Sequence, residues 1–248
     1  MVEYLLLAVA GLAGGMVNVA AGGAKLFVYP MLLSLGLPPL AANATGTVAL
    51  WPSTLPGAFA PKGSEAKLDT GGLWIDIPRV GPGGLIRVAR LVGLGERAFV
   101  SGVPFLLILA LAVIAFGDRL KTWAAHVRTE DGKSARRVLL FLCGIYAGYF
   151  GAGLGFFLVA SLLVSGTGHF HSAVRQKNLF AAIGNTAAVA VLAWSGLVSW
   201  LAAAIIFVFA VIGASIGAMI IPRISPGILR GFILVMGTIL TARFVIFG

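Results

Sequence analysis

Hydrophobic residues fall along this chain in long blocks with short polar interruptions. Four blocks, 98–116, 173–196, 197–221 and 228–247, reach the length of about 20 residues that a helix needs to cross a bilayer. The block 39–60 is more polar but still a candidate. Two others, 3–36 and 138–165, are apolar, rich in glycine and odd in length; 138–165 is long for one crossing and short for two. Segment 72–95 is the poorest candidate, because it holds Asp76, Arg79, Arg87, Arg90, Pro78 and Pro82. On an ideal helix its four charges share one face, but Pro82 interrupts that phase. A distorted or interfacial segment fits these residues better than a dedicated anion path.

One long polar stretch, DRLKTWAAHVRTEDGKSARR at 118–137, divides the blocks almost in the middle. Its basic residues place it in the cytoplasm. The chain then reads as a first membrane repeat (1–116), a basic connecting loop (117–137) and a second membrane repeat (138–248). The two halves open alike, with GLAGGMVNVAAGG from Gly11 and GIYAGYFGAGLGF from Gly144. A constant offset sets Gly11 on Gly144, Gly15 on Gly148, Asn18 on Gly151 and Gly22 on Gly155. Each copy carries a GxxxG spacing, which lets helix backbones approach closely, and each precedes a similar set of spans.

Charge then suggests a topology. If 138–165 dips into the membrane from the cytoplasm and returns, then Arg175, Lys177, Arg223 and Arg230 all lie on the cytoplasmic side. The same logic, read back from Lys62 and Lys67, brings 3–36 in from the outer face. The expectation is an all-α polytopic membrane protein of two inverted repeats. Each would be a glycine-rich broken helix or hairpin plus about three transmembrane helices. Irregular backbone at membrane depth is tolerated only inside protein or beside a wet cavity. Its free N–H groups suit an anion near the bilayer midplane.

Composition supports the bilayer as solvent: the chain is 59% hydrophobic and 10% charged. The net charge of +10 is spread between apolar blocks, so it reads as juxtamembrane anchoring and not as a nucleic-acid footprint. The opening MVEYLLL lacks a basic leader, so the first block is expected to stay in the mature protein. A lone Cys143 excludes an internal disulfide framework. No P-loop is present, so ATP is not expected to drive a cycle. His169 and His171 have no nearby Cys or carboxylate pair, so neither a metal nor a cofactor is expected. Few acids lie within spans and no nucleophile–base set appears, which argues against an enzyme.

Several residues remain as candidate chemistry. Lys25, after two glycines, either snorkels to water from a hairpin end or serves as counter-charge to an anion. Gly22, Gly23, Gly151, Gly153 and Gly155 either let helices pack closely or form turns whose amides face a substrate. In NATGT, Thr45 and Thr47 either bond back to carbonyls or offer hydroxyls to an anion, beside Asn43. Asn178 and Asn185, seven apart, share a helix face. Lys177 and Arg175 read as interfacial anchors, and Trp51, Trp74, Trp194 and Trp200 as belt aromatics at span ends. The GASIG spacing at Gly213 and Gly217 permits close helix contacts, and a homodimer stays open.

The runs NVAAGG, LLSLGLPPLAANATGTVALWP, GIYAGYFGAGLG and QKNLFAAIGN resemble the sulfite exporter TauE/SafE family, also called the toluene sulfonate uptake permeases. PPLAANATGTVALWP is the most specific piece. The resemblance implies a duplicated, multi-pass bacterial inner-membrane transporter of sulfite, sulfonates such as sulfoacetate and related anions. It implies secondary transport, coupled to an ion such as a proton or sodium. A passive anion channel and a non-transporting membrane subunit are the alternatives. Carried over by position, the family's paired polar and small residues fall on Asn18, Gly22, Gly23, Asn43, Thr45, Thr47, Gly151, Gly153, Gly155, Lys177, Asn178 and Asn185. Two departures stand out. Ala24 and Lys25 occupy positions where the family usually has a glycine and a small hydroxyl residue. Segment 72–95 replaces an ordinary apolar helix.

Overall fold

The computed structural model describes residues 2–55, 100–112 and 170–220, with scattered positions within 115–161 and 227–242. Every described element is helical. They are α1 (Val2–Ala21), α2 (Lys25–Ser34), α3 (Pro39–Leu50), a 3-10 turn (Trp51–Thr54), α4 (Val100–Ala112), α5 (Phe170–Trp194) and α6 (Trp200–Ile220). Segment 72–95, the loop 118–137 as a unit and most of 228–247 lie outside the described residues.

The glycine-rich block 3–36 is not a symmetric hairpin. It is one helix of 20 residues, α1, and one of 10, α2. At 1.5 Å per residue α1 measures about 30 Å and α2 about half that. Glu3 in the first turn of α1 complements the helix dipole. Gly22 stops α1 in a left-handed conformation, φ +67°, with its N–H still bonded to the Asn18 carbonyl at 3.0 Å. α2 ends in a Schellman motif: Leu37 N–H reaches the Leu32 carbonyl at 3.2 Å and Gly36 N–H the Leu33 carbonyl at 2.9 Å. Pro39 then opens α3 at a position where no N–H is needed.

The block 39–60 also differs from an unbroken crossing. α3 gives way at Trp51 to the 3-10 turn, because Pro52 has no N–H to continue the α ladder. Ser53 Oγ donates to the Leu50 carbonyl at 2.6 Å and Thr54 Oγ1 to the Trp51 carbonyl at 2.7 Å. The blocks 173–196 and 197–221 appear as α5 and α6, joined across Gly196 (φ +73°).

Among the described helices, the closest packing is between α1 and α6. A Cβ on Gly11 would stand 2.8 Å from the Ile206 carbonyl oxygen. One on Gly15 would collide with the Ala210 carbonyl, and one on Gly213 with the Leu12 carbonyl. The GxxxG of the first half therefore lets two backbones touch. Gly213, considered above for helix contacts and a homodimer, serves this contact within the chain. Gly11 meets Ile206 and Gly15 meets Ala210, equal steps in the same sense, so α1 and α6 run parallel.

Val2–Val19 and Trp200–Ile220 are each long and apolar enough to cross a membrane. Their outward faces carry Leu5, Val9, Leu201, Phe207, Ile212 and Met219, with Leu5 64% and Met219 71% exposed. Apolar faces of this extent do not suit water. They suit hydrocarbon, and the inward faces hold the packed core of Leu7, Val17, Ile206 and Ala210.

Candidate functional site

The turn at Gly22 meets the second half of the chain directly. A Cβ there would lie 2.8 Å from the Gly155 amide nitrogen and 2.9 Å from its Cα. Gly151 is also left-handed, at φ +73°, and its N–H bonds the Tyr146 carbonyl at 3.0 Å. Gly22 and Gly151 thus share the left-handed conformation, as do Gly36 and Gly196. The constant-offset alignment sets Gly22 on Gly155, which is its neighbour in space.

Beside this contact lies a cavity of about 40 Å³. At roughly 10–15 Å³ per water, it has room for a few waters or one small ion. Asn18 enters from the last turn of α1, Lys25 from the first turn of α2, Thr47 from α3 and Asn185 from α5. Gly22 and Gly151 supply backbone, while Ala24, Leu50, Trp51 and Phe150 complete the wall.

Lys25 is held by neutral groups. Its Nζ donates to Asn43 Oδ1 at 2.8 Å and lies 5.6 Å from the centre of the Phe150 ring. Phe150 is fully buried and packs edge-on against Tyr29, with centroids 5.3 Å apart. Glu3 is the one acidic residue among those described. It stands at the far end of α1, about 22 Å before Asn18 at 1.5 Å per residue. Among the described residues, no carboxylate balances the ammonium.

Asn18 Nδ2 donates to Ser53 Oγ at 2.7 Å, which joins the end of α1 to the 3-10 turn. Trp51 Nε1 donates to the Ala182 carbonyl at 3.1 Å and to Thr186 Oγ1 at 2.9 Å. Trp51, read above as a belt aromatic, instead ties the 3-10 turn to α5. Trp194, 92% exposed, and Trp200 keep surface positions at the α5–α6 link.

Of the substrate-binding candidates singled out from sequence, six line the cavity: Asn18, Gly22, Lys25, Thr47, Gly151 and Asn185. Asn43 is buried next to it as the partner of Lys25, Gly155 abuts Gly22, and Gly23 is buried within the turn. Thr47 Oγ1 bonds back to the Asn43 carbonyl at 2.7 Å, the local alternative. Thr45 Oγ1 accepts the Ser199 N–H at 3.0 Å and pins α3 to the start of α6. Gly153 lies outside the described residues, as do the side chains of Lys177 and Asn178 on α5. Sequence reasoning missed Phe150, Ser53 and the inward role of Trp51. The Trp51-Pro52 pair, which breaks the helix beside polar Ser53, was a usable signal.

Among the described residues, no group of His, Cys, Asp or Glu is placed to hold a metal. The family model described as "Sulfite exporter TauE/SafE" matches residues 7–244. The chain belongs to that family. A "Probable membrane transporter protein" of Haemophilus influenzae is 22% identical over 243 residues, covering 95% of this chain and 91% of the relative. This TauE/SafE protein is thus a membrane transporter, and the exposed apolar faces of α1 and α6 are where such a protein meets lipid.

Proposed function

We propose that this transporter carries a small sulfur-containing or organic anion, such as sulfite or a sulfonate, through the cavity between its two glycine turns. The observation that supports this best is Lys25. It is a cation beside a small polar cavity, with amides, a hydroxyl and helix ends around it and no described carboxylate in reach. Asn18 and Asn185 offer amide donors, and the first turn of α2 adds the positive end of its dipole.

Transport is secondary, driven by a proton or sodium gradient, and works by alternating access between two inverted repeats of a multi-pass inner-membrane protein. The matched left-handed turns at Gly22 and Gly151 support a duplicated origin. The parallel course of α1 and α6 supports inversion. If the first hairpin enters from outside, α1 and the crossing 197–221 both run inward; in a parallel repeat they would run oppositely. A midplane depth for the cavity requires α1 to tilt or to begin outside the hydrocarbon, since it measures about 30 Å.

The test is uptake into proteoliposomes of the full chain, with sulfite, methanesulfonate and sulfoacetate, under imposed proton or sodium gradients. Uptake that responds to one gradient is expected. No uptake of any of these anions refutes the substrate assignment, and uptake indifferent to both gradients refutes coupled transport.

A further inference from the structure

We propose that the cavity is matched to a single negative charge, with Lys25 as the residue that selects monoanions over dianions. This rests on the anion-transport reading above and narrows its substrate class.

The argument is one of charge balance. Every described group that holds the Lys25 ammonium is neutral: the Asn43 amide oxygen at 2.8 Å and the Phe150 ring at 5.6 Å. The other described polar side chains on the cavity wall, Asn18, Thr47, Trp51 and Asn185, carry no formal charge. With Lys25 protonated, the described residues of the site carry one positive charge. A bound monoanion brings it to neutrality, while a dianion leaves one negative charge in a cavity of about 40 Å³.

The two energies scale differently. Attraction to one fixed cation grows in proportion to the charge of the guest, so it doubles for a dianion. The cost of removing an ion from water grows as the square of its charge, so it quadruples. Neutral amides and hydroxyls reduce this gap, but they do so for either guest. An ammonium keeps three donors and Asn43 Oδ1 takes one, which leaves donor capacity for oxyanion oxygens.

The consequence is a ranking within the proposed substrates. Methanesulfonate and hydrogen sulfite carry one charge and are favoured. Sulfate, fully ionised sulfite and sulfoacetate, with its added carboxylate, carry two and are disfavoured. Methanesulfonate and sulfate form a fair pair, since both are compact and tetrahedral at sulfur.

The test is calorimetric binding of methanesulfonate and sulfate to the full chain in lipid nanodiscs at neutral pH. Methanesulfonate is expected to bind at least about tenfold more tightly. Apparent affinity for total sulfite is expected to rise more steeply than that for methanesulfonate as pH falls through the second ionisation of sulfite, because both gain from protonation of Lys25 but only sulfite changes its own charge. Lys25→Gln is expected to weaken methanesulfonate by about tenfold or more, and Lys25→Arg to keep the ranking. Sulfate binding as tightly as methanesulfonate overturns this inference and leaves the transport reading standing. Full methanesulfonate affinity in a folded Lys25→Gln protein removes Lys25 as the selector. Binding of neither anion overturns both the inference and the reading beneath it.

Discussion

Gly22 and Gly155 touch through their backbones, with 2.8 Å between a Cβ built on Gly22 and the Gly155 amide nitrogen. No side chain separates the two glycine-rich turns. Gly22→Ala is therefore doubly penalised. The left-handed conformation alone costs an alanine about 1–2 kcal/mol, and the methyl group must push Gly155 away. A lower melting temperature of the purified protein in detergent is expected. An unchanged melting temperature would show that the turns do not meet.

The α1–α6 contact predicts a contrast between glycines in the same half. At Gly15 a methyl meets the Ala210 carbonyl, and overpacking of this kind costs about 1–3 kcal/mol. At Gly46 a methyl would lie 3.6 Å from Val28 Cγ1, an ordinary contact, and alanine gains about 1 kcal/mol in helix propensity. Gly15→Ala should lower the melting temperature while Gly46→Ala holds or raises it. The opposite order would refute the packing.

Asn18 and Lys25 share the cavity wall, so a charge placed at Asn18 should act on the anion site. Asn18→Asp supplies an internal counter-ion for the ammonium and repels the guest. Anion affinity is expected to fall about tenfold or more, as read by calorimetry in nanodiscs. A matching Asn18→Leu protein separates this charge effect from loss of the Ser53 hydrogen bond, because it removes the bond without adding charge. Equal affinities in the two variants would count against an anion site here.

Trp51→Phe keeps the ring and deletes the donor to α5. The loss is about 1 kcal/mol, typical of one hydrogen bond, because Thr186 Oγ1 still donates to the Ala182 carbonyl at 2.8 Å. A drop of a few degrees at most is expected in the melting temperature. A fully stable variant would mean that the indole N–H contributes nothing to the seam.

Ile212 is 43% exposed on the outer face of α6. A spin label at this position should be accessible to oxygen and shielded from water-soluble relaxants in liposomes. The reverse would place this face in a wet cavity.

Much of the fold could be read from the apolar blocks. α5 and α6 fall almost where 173–196 and 197–221 put them, because uninterrupted apolar runs leave a chain few choices in lipid. The stop at Gly22 was readable because two adjacent glycines end a helix cheaply. The unequal arms of 3–36 were not, since hydropathy is blind to where a helix turns inside an apolar stretch. Asn18, Lys25 and Asn185 were visible as polar residues in apolar runs. Phe150 was hidden because an aromatic residue there looks like any other core residue. The role of Thr45 as acceptor for Ser199 was hidden too, because it depends on a contact between distant parts of the chain.

The Trp51 indole has two acceptors, the Ala182 carbonyl and Thr186 Oγ1, which are themselves hydrogen-bonded to each other at 2.8 Å on α5. One indole N–H thus closes a three-cornered knot with a hydroxyl and a carbonyl, fastening the segment after α3 to α5.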